Sequence, residues 1–460
     1  MKMCITEEKN LIIALKQLAF SIKNKIEDSL SHGVIKPDKE LYFRWKIDRF
    51  QYTEKGVVES SARGKYITKK SWLRAYIKIK DSIKESDEYS FVLGLLTKIP
   101  EIKDKIAHSL DCFKRKLIYG YLDESKFSET DVDILITNFL KDIKEEPLKY
   151  GAEVELDGIV ILPDKIQFKI GDVNIILRKT RIDDLEKEFP AYGFIMQPGL
   201  KTPPSAILNI EFLARQANEV QIRVRQAITI LRLFKVGSVK EISYRMHSES
   251  ITDIMTSGTA IAGKSLIALE KSQIKDEDIH KLKFFWQTMA KFLPPSFYEF
   301  GKARLDHITI AYKRYCDALL QNGVLERRIA NAVMGLESLF LKGEEREELI
   351  YRLSMRIAKI FSLLEYDSKV KEIVKDAYKI RSLFVHGGYL SDKDKRILNN
   401  KHGNIRSFLL LLLNYLRISI IMMIFNKKKE EFIDLIDNAL VDRNKDSQLN
   451  NLLNKTRNVI

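Results

Sequence analysis

The sequence has little cysteine and little proline, and no low-complexity tract interrupts it. Its 460 residues include three cysteines and ten prolines, whereas 45% of the residues are apolar and 10% are aromatic. Cys4, Cys112 and Cys316 form neither a CxxC pair nor a Cys/His cluster, so no disulfide framework, metal centre or cofactor is indicated. From this composition we expect a globular protein in a reducing compartment, that is, the cytoplasm. We also expect about two to four structural units, because the chain is too long for one hydrophobic core.

We expect neither a secretory leader nor a membrane span. Charged and amide residues interrupt every apolar run in the first twenty residues, which is typical of an amphipathic helix. Residues 408–425 are apolar, but Asn414 and Arg417 at their centre would be costly in lipid. We predict that this segment is a helix buried in protein and that the chain does not bind membranes.

What the chain does have is positive charge. Its 78 Lys and Arg against 63 Asp and Glu give a formal charge of +15, and residues 41–80 hold eleven basic and three acidic side chains. Such an excess attracts RNA, DNA or anionic lipid. Aromatic residues interleave with the basic ones, as in surfaces that stack bases and hold phosphates. The alternative is an amphipathic element with buried aromatics and a solvated basic face. The candidate RNA-binding residues are Arg44, Lys46, Arg49, Lys69, Lys70 and Arg74.

Hydrophobic periodicity predicts a mainly α fold in four parts. These are a mostly helical, basic and aromatic region (1–150), an α+β region with short strands (151–300), an antiparallel helical bundle (301–428), and a charged tail or helix (429–460).

Within the α+β region, alternating residues predict a hairpin, and further patterns predict other strands and helices. The hairpin covers 165–177, the strand-like pieces 240–246 and 265–269, and the helices about 206–235 and 276–293. The predicted bundle helices cover 304–321, 325–342, 346–365, 368–386 and 403–426.

The segment from Gly258 to Ser265 matches the P-loop pattern GxxxxGK[ST]. Such a loop would cradle phosphates on backbone N–H groups and place Lys264 on the β/γ oxygens. The preceding residues are polar rather than a buried strand, and the bundle begins too soon for further βα units. A plain loop followed by a strand is the simpler interpretation, so a nucleotide hydrolase is the weaker alternative.

Arg381 and His386 stand before a double glycine at the end of a predicted helix. Residues five apart differ by about 140° around a helix, so they share a face only if the last turn is distorted. Gly387 and Gly388 permit a left-handed C-cap, which would free the His386 ring from the helical ladder. The alternative is that the histidine interacts with the helix dipole and the arginine caps carbonyl groups.

Three segments in order, ERRIANAVMGLESLFL (326–341), EELIYRLSMRIAKIF (347–361) and AYKIRSLFVHGG (377–388), resemble the Apea-like branch of the HEPN superfamily. The family's hallmark is Arg followed by His, here RSLFVH. The resemblance assigns catalysis to Arg381 and His386. At position 382 HEPN ribonucleases often have Asn, Asp or His, and Ser382 is more similar to the Apea-like branch. The family positions that support the pair are Ser382, Glu337, Arg352 and Tyr378.

The resemblance implies a HEPN-type antiparallel bundle and a metal-independent endoribonuclease that leaves 2′,3′-cyclic phosphate and 5′-hydroxyl ends. It also implies RNA as partner, a homodimer or higher homo-oligomer through the bundle, and a role as a toxin or defence effector. The alternative is a non-catalytic HEPN module that binds RNA, nucleotide or a protein partner. Glu337 and Arg352 could instead form ion pairs between helices, and Tyr378 could simply pack.

Overall fold

The computed structural model describes most of the chain and shows a mainly helical protein with a smaller β component. The described residues are 5–99, 106–123, 127–186, 188–190, 204–252, 257–258, 271–299, 306–321, 323–366, 369–426 and 428–460.

The strands in these residues are β1 (Asp38–Thr53), β2 (Gly56–Ser71), β3 (Leu148–Asp157), β4 (Ile159–Ile161), β5 (Lys165–Ile170), β6 (Val173–Lys179), β7 (Glu188–Pro190), β8 (Ala206–Ala214), β9 (Lys240–Ser248), β10 (Ser257–Gly258) and β11 (Ser272–Ile274).

The helices are α1 (Ile5–Ser31), α2 (Leu73–Lys84), α3 (Asp87–Leu96), α4 (Ile106–Leu122), α5 (Glu129–Ile143), α6 (Ile182–Leu185), α7 (Asn218–Phe234), α8 (Ile279–Phe292), α9 (His307–Leu320), α10 (Leu325–Phe340), α11 (Leu349–Leu363), α12 (Val370–Val385), α13 (Asp392–His402), α14 (Ile405–Phe425), α15 (Lys429–Asn438), α16 (Arg443–Leu452) and α17 (Asn454–Arg457).

The N-terminal region packs α1 to α5 around its own apolar cluster. Leu15, Leu18, Phe113 and Phe139 are fully or almost fully buried there. Between α1 and α2 the chain forms a long antiparallel hairpin, β1 and β2, which we call the ribbon. The helical pattern of the flanking segments does not predict this hairpin, so the region is less uniformly helical than expected. Aromatic and β-branched residues favour strands, which accounts for the ribbon.

A largely antiparallel sheet with strand order β10-β9-β3-β8-β6-β5 forms the middle region. The predicted hairpin is confirmed as β5 and β6, which turn at Gly171 with a φ of +61°. The helix predicted over 206–235 is wrong in its first part, because 206–214 is the buried strand β8. A continuous apolar run is compatible with a buried strand as well as with a helix. In the structure this segment is a strand that pairs with β3 and β6. The strand predicted at 265–269 lies outside the described residues.

The predicted bundle helices match α9, α10, α11, α12 and α14 within a few residues, whereas α13 is an addition. On α10, the predicted stripe of Ile329, Val333, Leu336 and Phe340 is fully buried. Residues 429–460 form α15 to α17, which also pack on the bundle. One apolar cluster runs from Leu148 through the sheet to Val459, so the boundary predicted at 300 does not separate two cores.

The apolar helix α14 is buried in protein, as predicted. It is long and apolar enough to cross a membrane, but 78% of its apolar window is buried. The charged residue at its centre, Arg417, has partners inside the protein. It donates hydrogen bonds of 2.7 and 2.9 Å to the carbonyl oxygens of Leu233 and Phe234. These carbonyls end α7 and would otherwise lack donors. The charge of α14 therefore serves a helix end inside the protein.

Candidate functional site

The last turn of α12 has the geometry that the double glycine predicts. Gly387 has a φ of +81°, in the left-handed region that glycine favours. Its N–H donates to the carbonyl of Phe384 at 3.0 Å, and the Gly388 N–H donates to that of Leu383 at 2.9 Å. This is a Schellman motif, and it makes His386 the C-cap residue of α12.

Arg381 lies in the interface between α12 and α10. Its Nη2 donates to Oε2 of Glu337 at 3.2 Å, and its guanidinium carbon lies 5.6 Å from the ring centre of Tyr378. The side chains of Arg381 and Glu337 are 26% and 15% exposed. We call Arg381, Glu337 and Tyr378 the Arg381 cluster. Two of the residues that the family resemblance singles out therefore contact the arginine directly.

Not every hydrogen-bond donor of Arg381 has a partner among the described residues. The Nε atom of Arg381 is buried and has no hydrogen-bond partner among the described residues. A guanidinium carries five N–H donors, and the contact with Glu337 uses one of them. Further donors could therefore bind an anion such as phosphate, provided that it approaches from the exposed side.

Burial sets the electrostatics of this cluster. Desolvation raises the pKa of Glu337 above its usual value, and the Arg381 charge partly opposes that effect. Desolvation also raises the pKa of Tyr378, with a smaller contribution from the Glu337 charge. Glu337 thus occupies the place next to Arg381 that a phosphate would compete for or share.

His386 lies in a different environment from Arg381, although they belong to the same helix end. It is exposed, and no side-chain hydrogen bond joins it to another described residue. The apolar side chains around it in sequence, Leu383, Val385 and Tyr389, are 38%, 52% and 65% exposed. Both ring nitrogens are therefore available to a ligand, as a proton-transferring histidine requires.

The other two supporting residues, Ser382 and Arg352, have hydrogen-bond or ion-pair partners outside the Arg381 cluster. Ser382 is half-buried, and its backbone carbonyl accepts a hydrogen bond from the His386 N–H at 3.2 Å. Arg352 forms an ion pair with Glu345 at 3.4 Å instead of contacting the Arg381 cluster. Glu337 thus forms an ion pair between helices, as the alternative describes, whereas Arg352 pairs with a residue of the loop between α10 and α11.

The ribbon brings some of the basic candidates together and separates others. Arg44, Lys46, Arg49 and Lys69 share one face of it, by the strand register. Lys70 lies on the opposite face, and Arg74 is on α2, where it pairs with Asp38 at 3.6 Å. The register also adds two cations that sequence reasoning missed, and the alternation of β2 was the signal that could have found them. These cations are Arg63 and Lys65.

The P-loop-like motif adds no described site. Only Gly258, at the end of β10, belongs to the described residues, and 259–265, including Lys264, lie outside them. Across the described part of the chain, no group of three or more His, Cys, Asp or Glu side chains is placed to hold a metal ion.

No protein-family model, no curated protein and no solved structure matches the chain. The family resemblance therefore rests on the three sequence segments alone.

Proposed function

We propose that the protein is a cytoplasmic, metal-independent endoribonuclease of HEPN type, with Arg381 and His386 as its catalytic residues. The observation that carries the proposal is the helix end itself. An exposed histidine, the C-cap residue of α12, follows a partly buried arginine whose guanidinium has donors to spare, and the left-handed Gly387 ends the helix directly after that histidine. A role as toxin or defence effector follows from the family resemblance alone.

The reaction needs few groups. His386 would take the proton from the ribose 2′-hydroxyl, the 2′-oxygen would bond to phosphorus, and the bond from phosphorus to the 5′-oxygen would break. The leaving 5′-oxygen takes up a proton from water or from a protonated histidine of a second copy, which gives a 5′-hydroxyl and a 2′,3′-cyclic phosphate. Arg381 stays protonated and stabilises the charge of the phosphorane, because a guanidinium does not titrate at neutral pH.

One histidine cannot be base and acid at the same moment, and this favours a homodimer in which two helix ends face one cleft. The exposed Leu383, Val385 and Tyr389 offer apolar surface beside His386 for such an interface. We propose that a second copy binds there. Sedimentation of the purified protein should show a dimer or a higher oligomer, whereas a monomer at all concentrations would contradict this part of the proposal.

The test of the activity is RNA cleavage in EDTA by the wild type and by His386→Ala. We expect the wild type to release cyclic phosphate ends and the variant to lose this activity. His280→Ala is the matched control, since His280 is an exposed histidine on α8, outside the proposed site. Cleavage that survives in His386→Ala would refute the assignment.

The second candidate is a non-catalytic module that binds RNA, nucleotide or a protein partner. The contact between Glu337 and Arg381 favours it, because that carboxylate already satisfies part of the arginine charge. RNA binding without cleavage by the wild type would support this candidate. The third alternative, a nucleotide hydrolase, requires ATP hydrolysis that Lys264→Ala abolishes.

A further inference from the structure

The ribbon gathers several cations on one of its two faces. In the register of β1 and β2, Arg44 lies opposite Lys65 and Lys46 lies opposite Arg63. Residues opposite each other, and residues two apart along a strand, point to the same face. Lys69 lies opposite Glu40 and shares that face with Lys65.

A register shift adds one more cation to this face. It falls between Ile47 and Arg49, and it places Arg49 opposite Ser61, two residues from Arg63. Arg49 therefore joins the same face. From Glu40 to Arg49 this face is about 30 Å long, at about 3.3 Å per residue. We call this set the cationic ladder, and it consists of Arg44, Lys46, Arg49, Arg63, Lys65 and Lys69.

The ladder is exposed to solvent. Lys46, Arg49 and Lys65 are exposed, and the side chain of Arg63 is 83% exposed although it pairs with Asp48 at 2.7 Å. Arg44 pairs with Glu186 at 3.1 Å. The register also places Glu40 opposite Lys69 and Glu188 opposite Arg44, so this face carries six cations against these four carboxylates and keeps an excess of positive charge.

The charge pattern is unfavourable for the hairpin by itself. Two cross-strand pairs, Arg44 with Lys65 and Lys46 with Arg63, juxtapose like charges, which destabilises an antiparallel pair. A bound polyanion would turn this repulsion into attraction. The opposite face has a single cation pair, Lys39 with Lys70, beside the 48% exposed Leu41.

Hydrogen bonds attach the ribbon to the rest of the protein at its turn and along β1. At the turn, the Tyr52 hydroxyl donates to the Ser205 carbonyl at 2.7 Å and accepts from the Ile161 N–H at 3.0 Å. Along β1, the Glu186 carboxylate accepts hydrogen bonds from Nη2 of Arg44 at 3.1 Å and from the Ile47 N–H at 3.0 Å. These contacts fix the strand that carries half of the ladder.

We propose that the cationic ladder binds the phosphate backbone of RNA and holds the substrate of the nuclease. The preference for RNA over another polyanion rests on the proposed function. The ladder has one aromatic neighbour, Tyr42, whose ring is already covered by Lys69 at 5.4 Å. Binding therefore runs through phosphates and is insensitive to base sequence, with a strong dependence on salt.

The experiment uses the full chain with His386→Ala, so that RNA stays intact, and measures the Kd of a fluorescent single-stranded RNA across a KCl series. The test variant is Lys46→Gln with Lys65→Gln. The control is Lys39→Gln with Lys70→Gln, which removes the same charge from the opposite face of the same ribbon.

Each phosphate that the protein neutralises contributes about 0.7 to the slope of log K against log salt for a single strand. We expect the test variant to lower the slope by about 1.4, because two phosphates no longer meet a cation, and the control to leave it unchanged. Each test substitution also removes one member of a like-charge pair, so unfolding by urea should show no loss of stability.

Three results would overturn the proposal. They are equal weakening by both double variants, absence of RNA binding by the parent chain, and tight binding to phosphatidylserine vesicles in place of RNA. Failure of the nuclease is a separate result, because an active-site defect abolishes cleavage and leaves the ladder-dependent salt slope intact.

Discussion

Replacing Glu345 with glutamine tests how the C-terminal helices are held on the bundle. Arg356 on α11 is 1% exposed and lies between two carboxylates. Its Nη2 and Nη1 donate to the two oxygens of Glu345 at 2.6 and 2.9 Å. Its Nε and Nη2 donate to Asp437 on α15 at 2.7 and 2.6 Å. The arginine thus connects α15 to α11 and to the loop after α10.

The strength of this connection follows from the titration of Glu345. Hydrogen bonds from Arg356 lower the pKa of Glu345 from 4.5 to about 2. A shift of this size corresponds to at most about 3 kcal/mol. Solvent at the 40% exposed Asp437 screens part of the network, so we expect about 2 kcal/mol. Because the pKa is depressed, this stabilisation is complete above about pH 4.5 and is lost as the pH falls towards 2.

Hydrogen exchange measures this local contribution better than global unfolding, because the chain has two apolar clusters and need not unfold in one step. In Glu345→Gln, amides of α15 should exchange about 30-fold faster near neutral pH. Glu347→Gln is the control, since Glu347 is exposed in the same loop. Equal exchange of α15 in both variants would refute the stabilising role of the Arg356 network.

Three further substitutions probe the bundle and the candidate site. Arg417→Met should lower stability by about 2 kcal/mol, seen as a lower urea midpoint, because two buried carbonyl groups at the end of α7 lose their donor. Gly387→Ala should cost about 1 kcal/mol and speed amide exchange around His386, since a left-handed φ of +81° strains a residue with a Cβ even where space is open. Glu337→Gln should tighten RNA binding about fivefold, or about 1 kcal/mol, because Arg381 loses a competing charge and keeps an oxygen acceptor.

Each of these has a control within the chain. Arg406→Met changes an exposed arginine of the same helix, and an equal drop in urea midpoint would contradict the capping role of Arg417. Gly343→Ala adds a Cβ in open space without a positive φ, so it should be neutral. Glu347→Gln is the control for Glu337→Gln. Equal RNA affinity of the two variants would contradict the competition between Glu337 and a phosphate, and would leave the Glu337 contact a purely structural ion pair.

Helical periodicity predicted the bundle well, because its helices are long and each buries one stripe. The stripe of α11 shows this, with Leu353, Ile357 and Ile360 fully buried. Strand assignment was less secure. The segment now seen as β8 is buried on most of its length, so it lacks the alternation that separates a strand from a helix. The ribbon was missed although residues 41–48, LYFRWKID, place an apolar residue at every second position of β1, because β2 does not repeat that pattern.

The candidate site was predictable where local rules govern it. The left-handed turn after His386 follows from two adjacent glycines, and the structure has it at Gly387. Partners across helices are different, because sequence spacing carries no information about which side chains meet. The contact of Arg381 with Glu337 depends on how α12 packs on α10, and the pairing of Arg352 with Glu345 depends on the loop between α10 and α11.

Arg381 and His386, at the end of α12, differ in their exposure to solvent, and this difference suits them to different roles in the proposed reaction. Arg381 is held in a partly desolvated interface, where its charge acts strongly on a nearby anion, whereas His386 is exposed and free to exchange protons. In the proposed nuclease, a phosphate bound to Arg381 would lie beside the Glu337 carboxylate. Burial already raises the pKa of Glu337 against the opposing charge of Arg381, and the negative charge of an arriving phosphate would raise it further. Protonation of Glu337 on RNA binding would free the Arg381 guanidinium to bind the phosphate. RNA binding should therefore be accompanied by proton uptake, and Glu337→Gln should abolish that uptake. Calorimetry in buffers of different ionisation enthalpy measures it.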